Sequence, residues 1–241
     1  MTTLMKKTAI VTGASTGIGS AIATHLAMEG VDVCLLARNE EKLKEKEIEI
    51  KKVAKGNILT ISADVSNRED VQMAIKETEE KLGTIDFYIN NAGQMLNGIV
   101  TEGQVEDWEK MIDVNIKGIL YGIHEVLPTM KKQSFGHIVN IASVSGLEVT
   151  KNSTVYSATK FAVRAISMGL EKELARTGVR VTNISPGMVQ TDLTASYVEK
   201  DAHAHQRERV PLQTEDIARA VIYALSQPTY VNVNEITVRP V

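Results

Sequence analysis

The chain has 241 residues, of which 43% are hydrophobic and 24% are charged, and its formal net charge is −3. A chain of this length buries about 70% of the surface that it exposes when unfolded, so it needs no disulfide or metal to stabilise a core. Its weak negative charge excludes the broad basic surface of a general nucleic-acid-binding protein. The one cysteine, Cys34, cannot form an intrachain disulfide, and no apolar run approaches the roughly 20 residues of a membrane helix. We therefore expect a soluble cytoplasmic protein that binds neither nucleic acid nor a membrane.

Short apolar runs alternate with segments of helical periodicity along the chain. The runs predict buried strands at residues 9–11, 31–37, 58–63, 86–90, 137–142, 179–184 and 233–238. The segments between them predict helices, and the longest of these regions, residues 102–130, is expected to hold two. This alternation predicts a single α/β domain over residues 1–241, with a doubly wound, parallel, seven-stranded sheet and helices on both faces.

Residues 188–212 form the one long irregular segment, and it is rich in polar and charged side chains. A connection of this length in a compact domain is usually functional, so we interpret it as a substrate loop. It contains His203 and His205, which are two residues apart and are accompanied by no cluster of cysteines or carboxylates. We interpret them as solvated loop histidines and expect no metal site.

A glycine-rich turn connects the first predicted strand to the first helix, with the sequence Thr12-Gly13-Ala14-Ser15-Thr16-Gly17-Ile18-Gly19. Glycines here permit a tight turn and a close approach to a pyrophosphate, and the helix N-terminus attracts the anion. The spacing is Gly-x3-Gly-x-Gly rather than the Gly-x-Gly-x-x-Gly of other dinucleotide folds. The turn favours a dinucleotide, but S-adenosylmethionine remains an alternative ligand.

Tyr156 and Lys160 open a predicted helix after a serine-rich loop. Their spacing of four residues places both side chains on one face of that helix. A free tyrosine titrates near pH ~10, and a neighbouring ammonium group favours its phenolate form. The pair is therefore suited to proton exchange, although a merely structural pair of exposed side chains would show the same spacing.

Together, these motifs resemble those of the short-chain dehydrogenase/reductase family. The matching residues are, in chain order, Thr12 to Gly19, Asn90-Asn91-Ala92-Gly93, Asn115, Ser143, Tyr156, Lys160 and Pro186-Gly187. Ser143 precedes Tyr156 by 13 residues and Asn115 precedes Ser143 by 28, as in the family. The resemblance covers essentially the whole chain. It implies a Rossmann-type domain that binds NAD(H) or NADP(H) and reduces a carbonyl or oxidises an alcohol.

The resemblance also implies a role for each matching residue. Tyr156 would be the general acid/base, and Lys160 would lower its pKa and hold the nicotinamide ribose. Ser143 would hydrogen-bond the substrate oxygen, and Asn115 would anchor a water in the proton relay. For the cofactor, the resemblance places Gly13 and Ile18 in the phosphate-binding turn, Asp64 and Val65 beside adenine, Asn91 against the adenosine ribose and Thr191 at the nicotinamide carboxamide. The other implied cofactor-binding residues are Ser15, Thr16, Gly17, Gly19, Ala92, Gly93, Pro186, Gly187 and Val189.

The end of the second strand predicts which dinucleotide is used. An acidic residue there binds the ribose 2′-hydroxyl, whereas an arginine accommodates a 2′-phosphate. The sequence Ala37-Arg38-Asn39 has an arginine and no acid, so it favours NADP(H) over NAD(H). Alternatively, Arg38 merely starts a surface helix. Many NADP-dependent relatives also carry a basic residue where this chain has Thr16, and the Ser15 and Thr16 hydroxyls can supply hydrogen bonds instead.

We therefore expect an NADP(H)-dependent enzyme that reduces a small aldehyde or ketone, or oxidises the corresponding alcohol. The C-terminal residues 231–241 resemble those of bacterial reductases that act on small hydroxy acids, on aldehydes such as clavaldehyde, or on sugar-derived ketones. One alternative is a catalytically silent NADP-binding regulator on the same fold. All four catalytic positions hold the residues usual for the family, which counts against this alternative. Another is a methyltransferase, which would leave Ser143, Tyr156 and Lys160 unexplained.

The substrate pocket and the assembly can also be predicted. We expect residues 144–153 and 188–212, together with Gln94 to Leu96, to line the pocket. The family usually forms tetramers, so we expect a homotetramer, or a homodimer, built through the helices near 102–130 and 155–176. The apolar residues expected at that interface include Ile116, Ile119, Ala162 and Ile166.

Overall fold

The computed structural model describes residues 3–191 and 210–241. Seven strands form one sheet with the order β3-β2-β1-β4-β5-β6-β7, and every neighbouring pair is parallel. The strands are β1 (Thr8–Thr12), β2 (Asp32–Ala37), β3 (Ile58–Ser62), β4 (Phe87–Asn90), β5 (Gly136–Ile141), β6 (Val179–Pro186) and β7 (Glu235–Val238). This confirms the predicted fold class.

Seven α-helices are described around the sheet. They are α1 (Gly17–Met28), α2 (Glu40–Lys51), α3 (Arg68–Leu82), α4 (Val105–Ile112), α5 (Gly118–Lys132), α6 (Thr154–Glu173) and α7 (Thr214–Leu225). Buried side chains of α1, α2 and α7 pack on one face of the sheet, and those of α3, α5 and α6 pack on the other. No helix within the described parts of the chain is both long and apolar enough to cross a membrane.

The central strands are apolar because both of their faces are covered. All five residues of β1 are buried; Ala9 and Val11 belong to one core cluster, and Ile10 belongs to the other. Successive side chains of a strand point to opposite faces, so a strand between two helical layers buries both sets of side chains and is mostly apolar in its middle. This is why short continuous apolar runs located the strands.

The helical region at 102–130 holds two helices, as predicted. Here α4 and α5 are joined without a break by one π turn, Asp113–Lys117, and α5 continues to Lys132. The sequence analysis did not predict this π turn. π turns are frequent at functional sites, and this one contains Asn115.

The sheet order places a crevice between β1 and β4. The chain continues from β1 outward to β2 and β3, and then returns to β4 on the other side of β1. The loops that leave the carboxyl ends of these two strands therefore diverge, and ligands of open α/β sheets bind in this crevice.

Candidate active site

A cleft of about 1500 Å³ opens at the carboxyl ends of the strands. Its walls come from the loops that follow β1, β2, β3, β4, β5 and β6, together with the first turns of α1, α2 and α6. Every predicted cofactor-binding residue except Gly19 lines this cleft, as do Ser143, Tyr156 and Lys160. Residues that are far apart in the sequence are thus brought to one cavity.

The glycine turn adopts a backbone that side chains disfavour. Gly13 and Gly17 have φ angles of +65° and +54°, in the left-handed region. A Cβ atom on Gly13 would lie 2.9 Å from the Cα of Ala92, so the loop after β4 also requires a glycine there. The turn lies directly before the N-terminus of α1, whose free amide groups suit an anion.

Gly19, which the resemblance places among the cofactor contacts, is not one of the residues that line the cleft. A Cβ atom at this position would come within 2.3 Å of the Gly13 carbonyl oxygen and 2.4 Å of the Asn91 Nδ2. Gly19 therefore allows α1 to pack closely against the turn.

Two polar side chains fasten the ends of β1 and β4 together. The Asn91 Nδ2 donates to the carbonyl oxygens of Thr12, at 2.9 Å, and Gly13, at 3.3 Å. The Thr12 hydroxyl accepts from the backbone amides of Asn91 and Ala92, at 2.9 and 3.0 Å. Sequence reasoning missed this function of Thr12, although the residue opens the glycine motif.

The Tyr156 and Lys160 side chains lie close together on α6, as their spacing predicts. The Lys160 Nζ is 5.8 Å from the centroid of the Tyr156 ring and donates to the Ile141 carbonyl oxygen at 2.9 Å. Only 8% of Tyr156 and 5% of Lys160 are exposed. Burial lowers the pKa of Lys160 from its ordinary value of 10.5 to about 8. The pair therefore combines a phenol with an amine that can change its charge near neutral pH.

Ser143 faces the cleft just after the end of β5, at the start of a 3₁₀ turn (Val144–Gly146). Its Oγ accepts a hydrogen bond from the Ser145 amide at 3.1 Å, which fixes the side chain. Among the described residues its hydroxyl proton has no acceptor, so this proton is available to a ligand oxygen.

Asn115 does not line the cleft but supports it from behind. Its side chain is fully buried; Oδ1 accepts from the Gln94 amide at 2.8 Å, and Nδ2 donates to the Gln94 carbonyl at 2.9 Å. Nδ2 also lies 3.0 Å from the Thr159 hydroxyl, which donates to the Tyr156 carbonyl oxygen at 2.7 Å. Asn115 thus connects the loop after β4 to the helix that carries Tyr156, and Thr159 is a part of this connection that sequence reasoning missed.

Arg38 borders the opposite end of the cleft, between β2 and the start of α2. Its side chain is 63% exposed, and its guanidinium lies 3.8 Å from a carboxylate oxygen of Asp64. Lys42, in the first turn of α2, lines the same end. The sequence analysis did not single out Lys42, although its position one turn after Arg38 was a usable signal.

The predicted substrate walls are partly described. Most of 188–212, including His203 and His205, lies outside the described residues; Val189 and Leu212, at its two ends, form a β-bridge. Of the predicted segment Gln94 to Leu96, the first two residues line the cleft; Leu96 does not, and Asn97 does. Within 3–191 and 210–241, no group of three or more His, Cys, Asp or Glu side chains is placed to hold a metal ion.

Comparison with known proteins settles the family. A model of the short chain dehydrogenase family matches residues 7–202. The chain belongs to the short-chain dehydrogenase/reductase family. It is 54% identical, over the full length of both chains, to an uncharacterised oxidoreductase of Staphylococcus aureus strain MW2. As a member of this family it is an oxidoreductase.

Two solved structures of family members are similar to this chain. The closed form of a serine dehydrogenase in complex with NADP+ is 34% identical, with a TM-score of 0.86, and the match covers 96% of this chain and 94% of that one. An alcohol dehydrogenase of the archaeon Thermococcus sibiricus, in complex with 5-hydroxy-NADP, is 29% identical, with a TM-score of 0.87 and coverage of 98% and 97%.

Proposed function

We propose that this oxidoreductase uses NADP(H) to reduce a small aldehyde or ketone, or to oxidise the corresponding alcohol. The observation that carries the proposal is the placement of Ser143, Tyr156 and Lys160 in the same cleft as the glycine turn. One part of the cleft has donors for a reacting oxygen, and another has the backbone of an anion-binding turn. A silent regulator would need only the second part.

The cleft fits a dinucleotide. Its volume of about 1500 Å³ exceeds the ~300–1,000 Å³ of ordinary small-molecule sites, so a large cofactor and a small substrate can share it. In our proposal the turn from Gly13 to Ile18 holds the pyrophosphate, and Asp64 and Val65 flank the adenine. Lys160 holds the nicotinamide ribose, while Thr191 meets the carboxamide.

The reaction then follows from the side chains. The carbonyl carbon would receive a hydride from NADPH when that cofactor is bound. The Ser143 hydroxyl donates a hydrogen bond to the carbonyl oxygen and polarises it, and the Tyr156 phenol gives its proton to the same oxygen. The Lys160 ammonium stabilises the phenolate that remains. In the oxidative direction the Tyr156 phenolate accepts the proton of the alcohol.

The preference for NADP(H) rests on Arg38. Its exposed guanidinium borders the cleft next to α2, and among the described residues its one acidic contact is a long one, 3.8 Å, with Asp64. It is therefore free to turn toward a 2′-phosphate, to which it would make a charge-assisted hydrogen bond. Two structural neighbours bound to NADP+ or 5-hydroxy-NADP support the same choice.

We also propose that the protein assembles as a homotetramer, or a homodimer, through α4, α5 and α6. Apolar side chains on the outer faces of these helices are exposed, among them Ile112, Leu120, Phe161 and Met168. The predicted interface residue Ile119 does not belong to them, since it is only 3% exposed and packs in the core. Sedimentation equilibrium at micromolar concentration tests this assembly, and a stable monomer would contradict it.

A substrate screen tests the proposed activity. The purified protein is mixed with NADPH or NADH and a panel of aldehydes and ketones, and the loss of nicotinamide absorbance is followed. We expect turnover with NADPH for at least one class of small carbonyl compound. Tight NADPH binding without turnover of any carbonyl or alcohol would instead indicate the regulator.

A further inference from the structure

Lys151 occupies the corner of a tight turn on the wall of the cleft, next to the helix that carries Tyr156. Thr150 to Ser153 form this turn, which is closed by a hydrogen bond from the Ser153 amide to the Thr150 carbonyl at 3.3 Å. Asn152, the next residue, has a φ angle of +69°. The turn comes directly before α6, and all four of its residues line the cleft.

Hydrogen bonds hold this turn in place relative to Tyr156. The buried Ser153 hydroxyl donates to the Thr150 carbonyl at 2.8 Å and lies 3.1 Å from the Ser157 hydroxyl, which is inside α6. On the other side, the Asn152 carbonyl accepts from the Gly98 amide at 3.0 Å. The base of Lys151 is therefore fixed to the helix that carries the catalytic pair, even though its side chain is exposed.

Lys151 has no acidic partner within the described ranges 3–191 and 210–241. The nearest acidic residue in the sequence, Glu148, pairs with Arg239 at 2.9 Å instead. An exposed lysine is usually placed where water or a partner can satisfy it. Lys151 instead lies on the wall of the cleft, where no carboxylate of the described residues neutralises its charge.

The charge of the cleft supports a ligand for Lys151. The described lining contains four basic residues, Arg38, Lys42, Lys151 and Lys160, and one acidic residue, Asp64. Arg38 and Lys42 border the end next to α2, and Lys160 is buried beside Tyr156. Lys151 is thus the basic residue that remains for the substrate. A positive cleft on a protein with a net charge of −3 concentrates anions.

We propose that Lys151 binds a carboxylate on the substrate, so that the enzyme acts on short oxo acids and the matching hydroxy acids. This inference rests on the proposed carbonyl–alcohol activity and narrows it. Lys151 would fix one end of the substrate while Ser143 and Tyr156 hold the reacting oxygen at the other. Binding at both the carboxylate and the reacting oxygen orients the carbonyl carbon. A neutral aldehyde or ketone of equal length has no carboxylate and would be held only at its oxygen.

Matched substrates separate this proposal from the general activity. NADPH oxidation is measured with 4-oxobutanoate and with its methyl ester, for the parent, Lys151→Gln, Lys151→Arg and Lys172→Gln. Lys172 is an exposed lysine near the end of α6 that does not line the cleft, so it serves as the control for loss of a charge. The measured quantity is the ratio of kcat/KM for the acid to kcat/KM for the ester.

We expect the parent to prefer the acid and Lys151→Gln to lower the ratio by about 10-fold or more, as expected on losing a hydrogen bond to a charged group. Lys151→Arg should keep most of the preference and Lys172→Gln all of it. High salt should also lower the parent's ratio. A ratio that is unchanged in Lys151→Gln would overturn the carboxylate proposal while leaving the carbonyl activity intact.

A binding measurement decides the matter even without turnover. Butanoate and butanamide differ in charge but not in length, and neither is reduced. Their dissociation constants are measured by titration of the NADPH-loaded protein, parent and Lys151→Gln. The proposal is supported if the parent binds butanoate more tightly than butanamide and Lys151→Gln does not. Equal binding of the two compounds by the parent contradicts it, and failure of every carbonyl to react contradicts the proposed activity instead.

Discussion

The side-chain amide of Asn115 and the hydroxyl of Thr159 lie 3.0 Å apart, and both groups are completely buried. The Thr159 hydroxyl in turn donates a hydrogen bond to the Tyr156 carbonyl oxygen at 2.7 Å. The π turn between α4 and α5 is thereby joined to the first turn of α6. These hydrogen bonds hold the backbone of Tyr156 in place. Asn115 can therefore affect the geometry of proton transfer without lining the cleft.

Replacement of Thr159 tests this connection. Thr159→Val keeps the shape of the side chain but leaves the Asn115 Nδ2 and the Tyr156 carbonyl without their shared partner. Leaving a buried polar group unsatisfied costs about 1–3 kcal/mol, so the free energy of unfolding in urea should fall by that amount. We expect kcat to fall as well, with little change in the dissociation constant of NADPH.

Thr159→Ser is the matched control, because it retains the hydroxyl and loses only a methyl group. It should restore kcat to within a few-fold of the parent. If Thr159→Val and Thr159→Ser were equally active, the hydroxyl would have no positioning role, and packing alone would explain the residue.

The buried charge of Lys160 should reduce the stability of the protein without its ligands. Its pKa is lowered to about 8, so between pH 8 and 10.5 the unfolded chain binds more protons than the folded one. Stability then rises with pH across this window, and below pH 8 the full cost of the buried cation is present. Lys160→Met should therefore raise the free energy of unfolding at pH 7 by about 1–3 kcal/mol while turnover is lost.

Urea unfolding at several pH values checks this expectation. The advantage of Lys160→Met over the parent should shrink as the pH rises from 8 to 10.5. A variant that is less stable than the parent at pH 7 would show that the bond from Lys160 to the Ile141 carbonyl outweighs the cost of burying the charge.

The choice of cofactor should depend on Arg38. Arg38→Ala removes the guanidinium that is proposed to bind the 2′-phosphate, and it should raise the dissociation constant of NADPH about 10- to 150-fold. The constant for NADH should change little, because NADH has no 2′-phosphate. Ala37→Asp should shift the preference further toward NADH by placing a carboxylate at the end of β2.

Competition titrations of NADPH against NADH give these constants directly. Arg219→Ala, which removes an exposed arginine of α7 outside the cleft, is the control for loss of one positive charge. If the parent bound NADH as tightly as NADPH, Arg38 would be only a surface residue at the start of α2.

Most of the sheet could be predicted from the sequence, because a strand covered on both faces contains a short continuous apolar run. The cleft residues could be predicted for a different reason, since glycine turns and the Tyr156–Lys160 spacing impose local geometry. The burial of Ile119 and the close packing at Gly19 were not predicted, because periodicity and motif do not show which neighbour fills the space beside a residue. In the structure those neighbours are the Gly13 carbonyl and the core around α5.

The supporting hydrogen bonds could not be predicted in the same way. Thr12 and Thr159 act through partners 79 and 44 residues away in the sequence, Asn91 and Asn115, and a hydroxyl gives no sign in the sequence of which distant group it meets. Lys151 illustrates the same limit. Its position on the wall of the cleft depends on how a loop is anchored at both ends, which no local pattern records.

Tyr156→Phe gives the most direct test of the proposed function, because it removes one oxygen atom and the proton that it carries. The measurement pairs steady-state turnover of a reactive carbonyl with the dissociation constant of NADPH, for the parent and the variant. We predict that turnover falls by about 10²–10⁴-fold, the usual contribution of a general acid, while NADPH binding stays within a few-fold. Turnover within a few-fold of the parent would contradict the assignment of Tyr156 as the proton donor and, with it, the proposed mechanism.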